Sequence, residues 1–143
     1  MKIKVFNRKA FENYKTDEVH IAISITDPKS ESVKLINAKN SLLDILELQF
    51  HDYDNIKWID NEFKLKFFTD YHAKKILNFV IKYEHLVETF LIHCEAGISR
   101  SAGVAGALSV IYNKDDRKYF QSYLPNMLVY RTILEVYNNE YEG

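Results

Sequence analysis

The chain carries a single cysteine, Cys94, among 143 residues, so no internal disulfide can form and a reducing compartment is expected. It also lacks a dominant charge: 19 basic side chains stand against 20 acidic ones, for a formal net charge of −1. Without a field of one sign, neither nucleic acid nor an anionic membrane is favoured as a partner. No apolar run is long enough to cross a bilayer, and Met1 to Phe11 lacks the layout of a secretory leader. A soluble, cytoplasmic protein is the expectation. With four glycines, two prolines, no Ser/Gly-rich linker and no internal repeat, residues 1–143 are expected to form one domain. The histidines His20, His51, His72, His85 and His93 are scattered without metal-ligand spacing, and no Gly-rich nucleotide fingerprint appears. Neither a metal nor another cofactor is implied.

What the chain does have is apolar mass in the proportion of an ordinary globular protein, with ten tyrosines and nine phenylalanines to fill a small core. Ile3 to Phe6 reads as a short strand and Arg8 to Tyr14 as one or two helical turns. Val19 to Ile25 is a β-branched run stopped by Thr26-Asp27-Pro28, the pattern of a buried strand. Asp44 to Phe50 alternates as another strand, and Ile56 to Phe68 suits a small hairpin or an insertion. From Asp70 to about Glu88, apolar residues recur three and four apart behind Thr69 or Asp70 as N-cap, which predicts an amphipathic helix. Phe90-Leu91-Ile92 then reads as a central parallel strand, and Ser101 to Tyr112 as a helix apolar almost all round. Two more helices are expected over Asp116 to Tyr123 and Asn126 to Tyr137, with Pro125 marking the start of the last. The alternation predicts an α/β fold with a central, mostly parallel four- or five-stranded sheet flanked by helices.

Between the strand ending at Ile92 and the helix opening at Ser101 lies a Cys-x-x-Gly-x-x-Arg segment. A loop entering a helix N-terminus presents unpaired backbone N–H groups and the positive end of the helix dipole. Successive amides curled around one point form an anion nest. Gly97 allows a backbone turn closed to other residues, and Arg100 adds a forked, permanently charged donor suited to phosphate oxygens. The same field acts on Cys94, and helix N-termini and nearby cations favour the thiolate. A thiolate facing a bound tetrahedral phosphate is placed for in-line attack, with the amides and Arg100 stabilising the transition-state charge. Singly, Cys94 could be core and Arg100 surface. Together with Gly97 they point to chemistry.

His93-Cys94-Glu95-Ala96-Gly97-Ile98-Ser99-Arg100-Ser101 resembles the signature loop of the cysteine-based protein tyrosine phosphatases, and Ala-Gly-Ile-Ser-Arg-Ser looks like their dual-specificity branch. Pro125-Asn126, opening an apolar helix, resembles a segment found after that loop in the same branch. The resemblance implies that Cys94 forms a cysteinyl-phosphate, that Arg100 clamps the phosphate, and that the amides of Glu95, Ala96, Gly97, Ile98, Ser99 and Arg100 cradle it. Ser101 would donate to the Cys94 sulfur and help it leave, while His93, and in a similar way Asn126, would brace the loop. The family also uses an aspartate upstream of the cysteine as general acid. Asp52, just after the strand Asp44 to Phe50, resembles that arrangement, with Asp54 and Asp60 as the other candidates.

The variable positions of the loop carry no basic residue besides Arg100, and Glu95 sets a negative charge at its rim. That disfavours polyanionic substrates and leaves a phosphorylated protein, with phosphotyrosine as the default, or a small phosphomonoester as partner. Hydrolysis through a covalent phosphocysteine, without a metal, is the first expectation. A phospho-binding module that keeps the loop but turns over little is the second. Arsenate reduction or sulfur transfer is a weaker third, since no second cysteine is present to resolve a disulfide.

Overall fold

Four segments pair side by side as parallel strands: β1 (Lys2–Phe6), β2 (His20–Thr26), β3 (Leu42–Gln49) and β4 (Thr89–His93). The structure is a computed structural model and describes residues 1–36, 41–54 and 66–142. The strand order is β1-β4-β2-β3, and every pairing is parallel. The expected mostly parallel sheet is therefore all parallel, with four strands among the described residues. The hairpin or insertion expected over 56–68 falls mostly outside them, as does Asp60.

Among the described residues five helices cover the two faces: α1 (Arg8–Asn13), α2 (Asp70–Tyr83), α3 (Arg100–Asn113), α4 (Arg117–Ser122) and α5 (Met127–Glu140). β2 is buried at all seven positions, as a strand covered on both faces must be. Its odd-numbered residues Ile21, Ile23 and Ile25 join Phe90, Ile92, Cys94 and the inward residues of α2, α3 and α5. Ala22 and Leu91 turn to the other face, against Phe11 of α1. The period-two alternation of two adjacent strands thus divides one sheet between two cores.

α2 buries Ala73, Ile76, Leu77 and Val80 of the stripe its spacing predicted, while Ile81 of that stripe stays exposed. It ends earlier than the pattern suggested, because Leu86 and Val87 both donate backbone bonds to the Tyr83 carbonyl and turn the chain back toward β4. α3 is buried from Arg100 through Ser109, so it lies against the sheet with helices packed over it. Its contact with α5 depends on Gly103: a Cβ there would lie 2.7 Å from the Asn126 carbonyl oxygen. Pro125 stands one residue before the cap of α5. Asn126 is the N-cap, and its Oδ1 accepts the Val129 N–H at 3.1 Å. No helix is long and apolar enough to cross a membrane among the described residues.

Candidate active site

A parallel sheet sends the carboxyl ends of all its strands to one edge, and ligands in such folds collect there. At that edge lie Asn7 after β1, Asp27 after β2, Phe50 to Asp52 after β3, and Cys94 after β4. The chain leaves β4, turns through Cys94 to Ser99, and enters α3 at Arg100. The turn is possible because Gly97 adopts a left-handed φ of 69°. Space imposes the same requirement, since a Cβ on Gly97 would sit 2.5 Å from the Asn7 backbone nitrogen. The signature loop is therefore pressed onto the junction of β1 and α1.

Backbone bonds seal that contact. Cys94 N–H donates to the Phe6 carbonyl at 3.4 Å, and Arg8 N–H donates to the Glu95 carbonyl at 3.2 Å. Inside the turn, Gly97 N–H points at Cys94 Sγ from 3.2 Å, and Ser101 Oγ lies 3.1 Å from the same sulfur. The Gly97 amide donates to the sulfur, and either Sγ or Ser101 Oγ can be the donor of the second contact.

His93 lies behind the loop, fully buried and stacked on Phe11 with ring centroids 4.4 Å apart. Its Nδ1 is 3.3 Å from the Cys94 carbonyl oxygen, and its Nε2 is 2.6 Å from Ser24 Oγ. A carbonyl can only accept, so Nδ1 carries the proton and Nε2 accepts from Ser24. Burial is the main reason the imidazole is pushed down to a pKa of about 4, which keeps it neutral at pH 7. It is a brace for the loop, with no charge to contribute.

Arg100 is almost wholly buried. Its Nη1 donates to Asp27 Oδ1 and to the Phe50 carbonyl, each at 2.8 Å, while Nε is buried with no partner among the described residues. Phe50 is in turn fixed by Phe68, edge to face at 5.0 Å, and by His72 at 5.4 Å. One end of the guanidinium is held, and the other is left with a donor to satisfy.

Of the candidate acids, Asp52 reaches the loop. Its Oδ1 accepts from Ser99 Oγ at 2.8 Å and from Asn126 Nδ2 at 2.8 Å. Asp54, exposed like Asp52, has no such bond among the described residues, and Asp60 lies outside them. Glu95 is not the free negative charge its place in the sequence suggested: Arg8 Nη1 donates to its Oε1 at 3.0 Å. Arg8 also bonds Ser30 Oγ and the carbonyls of Glu31 and Ser32, so it ties α1, the segment after β2 and the signature loop together.

Ala96 and Ile98 occupy the outer part of the turn, and the Ile98 carbonyl accepts the Leu124 N–H at 3.2 Å. Asp27 and Arg8 are the residues that sequence reasoning missed. Asp27 had been read as part of a strand-stopping turn, and the one usable signal was its place at the end of a parallel strand. Among the described residues no three His, Cys, Asp or Glu side chains gather as a metal site.

No family model matches the chain, and no curated protein does. Solved structures do. A human tyrosine phosphatase-like serine/threonine/tyrosine-interacting protein superposes with a TM-score of 0.63 at 18% identity, over 97% of this chain and 92% of that one. Tk-PTP in its active form gives 0.60 at 13% identity, covering 94% and 92% of the two chains. PTPMT1 in complex with PI(5)P gives 0.56 at 16%, covering 96% and 91%. At these identities the likeness is one of fold, and the chain has the fold of the cysteine-based protein tyrosine phosphatases in its dual-specificity-like form.

Proposed function

We propose that this protein hydrolyses phosphomonoesters through a covalent cysteinyl-phosphate. The observation that carries the reading is Arg100, buried beside the signature loop with Nη1 anchored and Nε unpartnered. A buried cationic donor without an acceptor costs free energy unless an oxyanion meets it.

The geometry supports the following roles. A phosphate in the turn accepts from the loop amides and from Arg100, which sets phosphorus in front of Cys94 Sγ. The sulfur's electron pair forms the S–P bond as the P–O bond to the leaving group breaks. Asp52, as the carboxylic acid, passes its proton to the departing oxygen. Water then attacks phosphorus and gives its proton to Asp52. Inorganic phosphate is released, and Cys94 leaves as a thiolate that accepts from Ser101 and from the Gly97 amide. His93 and Asn126 brace the loop and take no part in proton transfer.

The substrate is a phosphorylated protein or a small monoester bearing one phosphate, because Arg8 at the rim is already paired with Glu95 and its charge is not free to meet a second phosphate. The cytoplasm suits such a protein, since a thiol nucleophile must stay reduced. The test is turnover of an aryl phosphate by the wild-type chain and by Cys94→Ser. Hydrolysis should fall to background in the variant while vanadate still binds. Full activity in Cys94→Ser would exclude the covalent route. Phosphopeptide binding without hydrolysis by the wild type would instead make the chain a binding module.

A further inference from the structure

Serine at a helix N-cap ordinarily turns its hydroxyl onto the first-turn amides, a contact worth about 1 kcal/mol. Ser99 is the N-cap of α3 and makes no such bond. Its Oγ donates instead to Asp52 Oδ1, at 2.8 Å. That contact joins residues 47 positions apart and lies on the loop that carries Cys94. Two things happen together: the first amides of α3 keep no side-chain cap, and the end of β3 is fastened to the signature loop.

A second group completes the fastening. Asn126 is 1% exposed, and its Oδ1 accepts from the Val129 N–H, which can only donate. The amide's orientation is therefore set, and Nδ2 must face the other way. Its two hydrogens go to Asp52 Oδ1 at 2.8 Å and to the Tyr53 carbonyl at 3.0 Å. Asn126 N–H also donates to the Ser99 carbonyl at 2.9 Å, so cap and clamp share one backbone.

Resting on the acid role read for Asp52, we infer that Ser99 is a positioning residue for proton transfer, docking Asp52 onto the phosphate loop before any substrate arrives. The inference also assigns the proton. Oδ1 accepts from the Asn126 amide nitrogen, which can only donate, and from the Ser99 hydroxyl, so with both bonds kept Oδ1 is the carbonyl oxygen of the neutral acid and the hydrogen sits on Oδ2. Asp52 then needs no loop closure to be in place, and the first turn of α3 keeps its amides for the anion.

Leaving-group dependence separates positioning of the acid from shaping of the loop, because only a poor leaving group needs the proton. The experiment compares kcat/KM for wild type, Ser99→Ala, Ser99→Thr and Asp52→Ala on two esters. One is an aryl phosphate with an activated phenol, and the other is an alkyl phosphate. In Ser99→Ala the loss on the alkyl ester should exceed the loss on the activated one by about tenfold, a part of the roughly 10²–10⁴-fold that a general acid supplies. Ser99→Thr, which keeps the hydroxyl, should recover most of it. In the Asp52→Ala background, removing Ser99 should add no further selectivity, since the two act as a unit.

Equal losses on both esters in Ser99→Ala would overturn the proposal, since a loop defect does not distinguish leaving groups. No selective loss in Ser99→Ala, beside a strong one in Asp52→Ala, would also overturn it while leaving the acid assignment intact. If Asp52→Ala itself shows no selectivity, the acid assignment fails and Ser99 has nothing to position. If the wild type hydrolyses neither ester, it is the phosphatase reading that fails. Vanadate affinity of each variant separates lost docking from lost folding.

Discussion

Arg100 and His93 show how a single side chain's surroundings decide what it can do. Arg100 has one nitrogen committed to Asp27 and to the Phe50 carbonyl, and that commitment aims the rest of the fork. Asp27 is half exposed while the guanidinium is buried, so the pair spans the boundary between solvent and site. His93 is the opposite case, a titratable ring kept neutral by burial. Its folded pKa of about 4 lies below the ordinary value of 6.5. Between these values the unfolded chain binds a proton that the folded one refuses, so stability rises with pH through that window. The contribution is complete above about pH 6.5 and is lost as pH falls toward 4, with a ceiling of about 3 kcal/mol at 1.36 kcal/mol per unit. Urea midpoints at pH 7 and pH 4.5 should differ accordingly. His93→Asn should be less stable at pH 7 and show a flatter dependence.

At the level of elements, the site is a consequence of strand parity and of how closely two helices meet. β4 places Phe90, Ile92 and Cys94 toward the helical core, and His93 toward Phe11 on the other face. Cys94 and His93 are neighbours in sequence yet sit on opposite sides of the sheet. α3 then approaches α5 closely enough that a methyl group on Gly103 would strike the Asn126 carbonyl at 2.7 Å and Val129 Cβ at 3.1 Å. Asn126 donates to Asp52, so the helix contact and the proposed acid are mechanically linked. Gly103→Ala should lower stability by roughly 1–3 kcal/mol, the usual cost of overpacking. It should also reduce turnover of the alkyl ester more than that of the activated one, because α5 and its cap are displaced. Thermal unfolding and the two-ester comparison check the two parts separately.

Across the molecule, Arg8 is the residue whose loss should be felt furthest. It joins α1, residues 30–32 and the signature loop, and it neutralises Glu95 at the rim of the site. Arg8→Ala would strand those acceptors and expose an uncompensated carboxylate beside the phosphate cradle. The expected outcome is a stability loss of about 1.5–3 kcal/mol, the range for hydrogen bonds to charged groups. Vanadate affinity should also fall several-fold. Adding Glu95→Gln should restore affinity more than stability, because it removes the repulsive charge but not the missing ties. Equilibrium unfolding and vanadate titration of the single and double variants test this.

The elements themselves were legible along the chain because each has a local cause. The β-branched run from Val19 to Ile25 became β2, the three-and-four spacing after Thr69 became α2, and the apolar segment after Arg100 became the buried α3. The signature loop was legible for the same reason: Cys94, Gly97, Arg100 and Ser101 lie within one turn, so their juxtaposition is a matter of covalent distance. The contacts made by Asp27, Arg8 and Asp52 lie 73, 87 and 47 residues away in the chain, and no local pattern encodes them. They meet because four parallel strands end at one edge. By itself, then, the sequence determined the layered α/β class and the local loop on which the proposed nucleophile and anion cradle rest. Only the tertiary structure decided that Asp52 reaches the loop, what aims Arg100, and that Glu95 is already paired, since each of those depends on side chains brought together from distant parts of the chain.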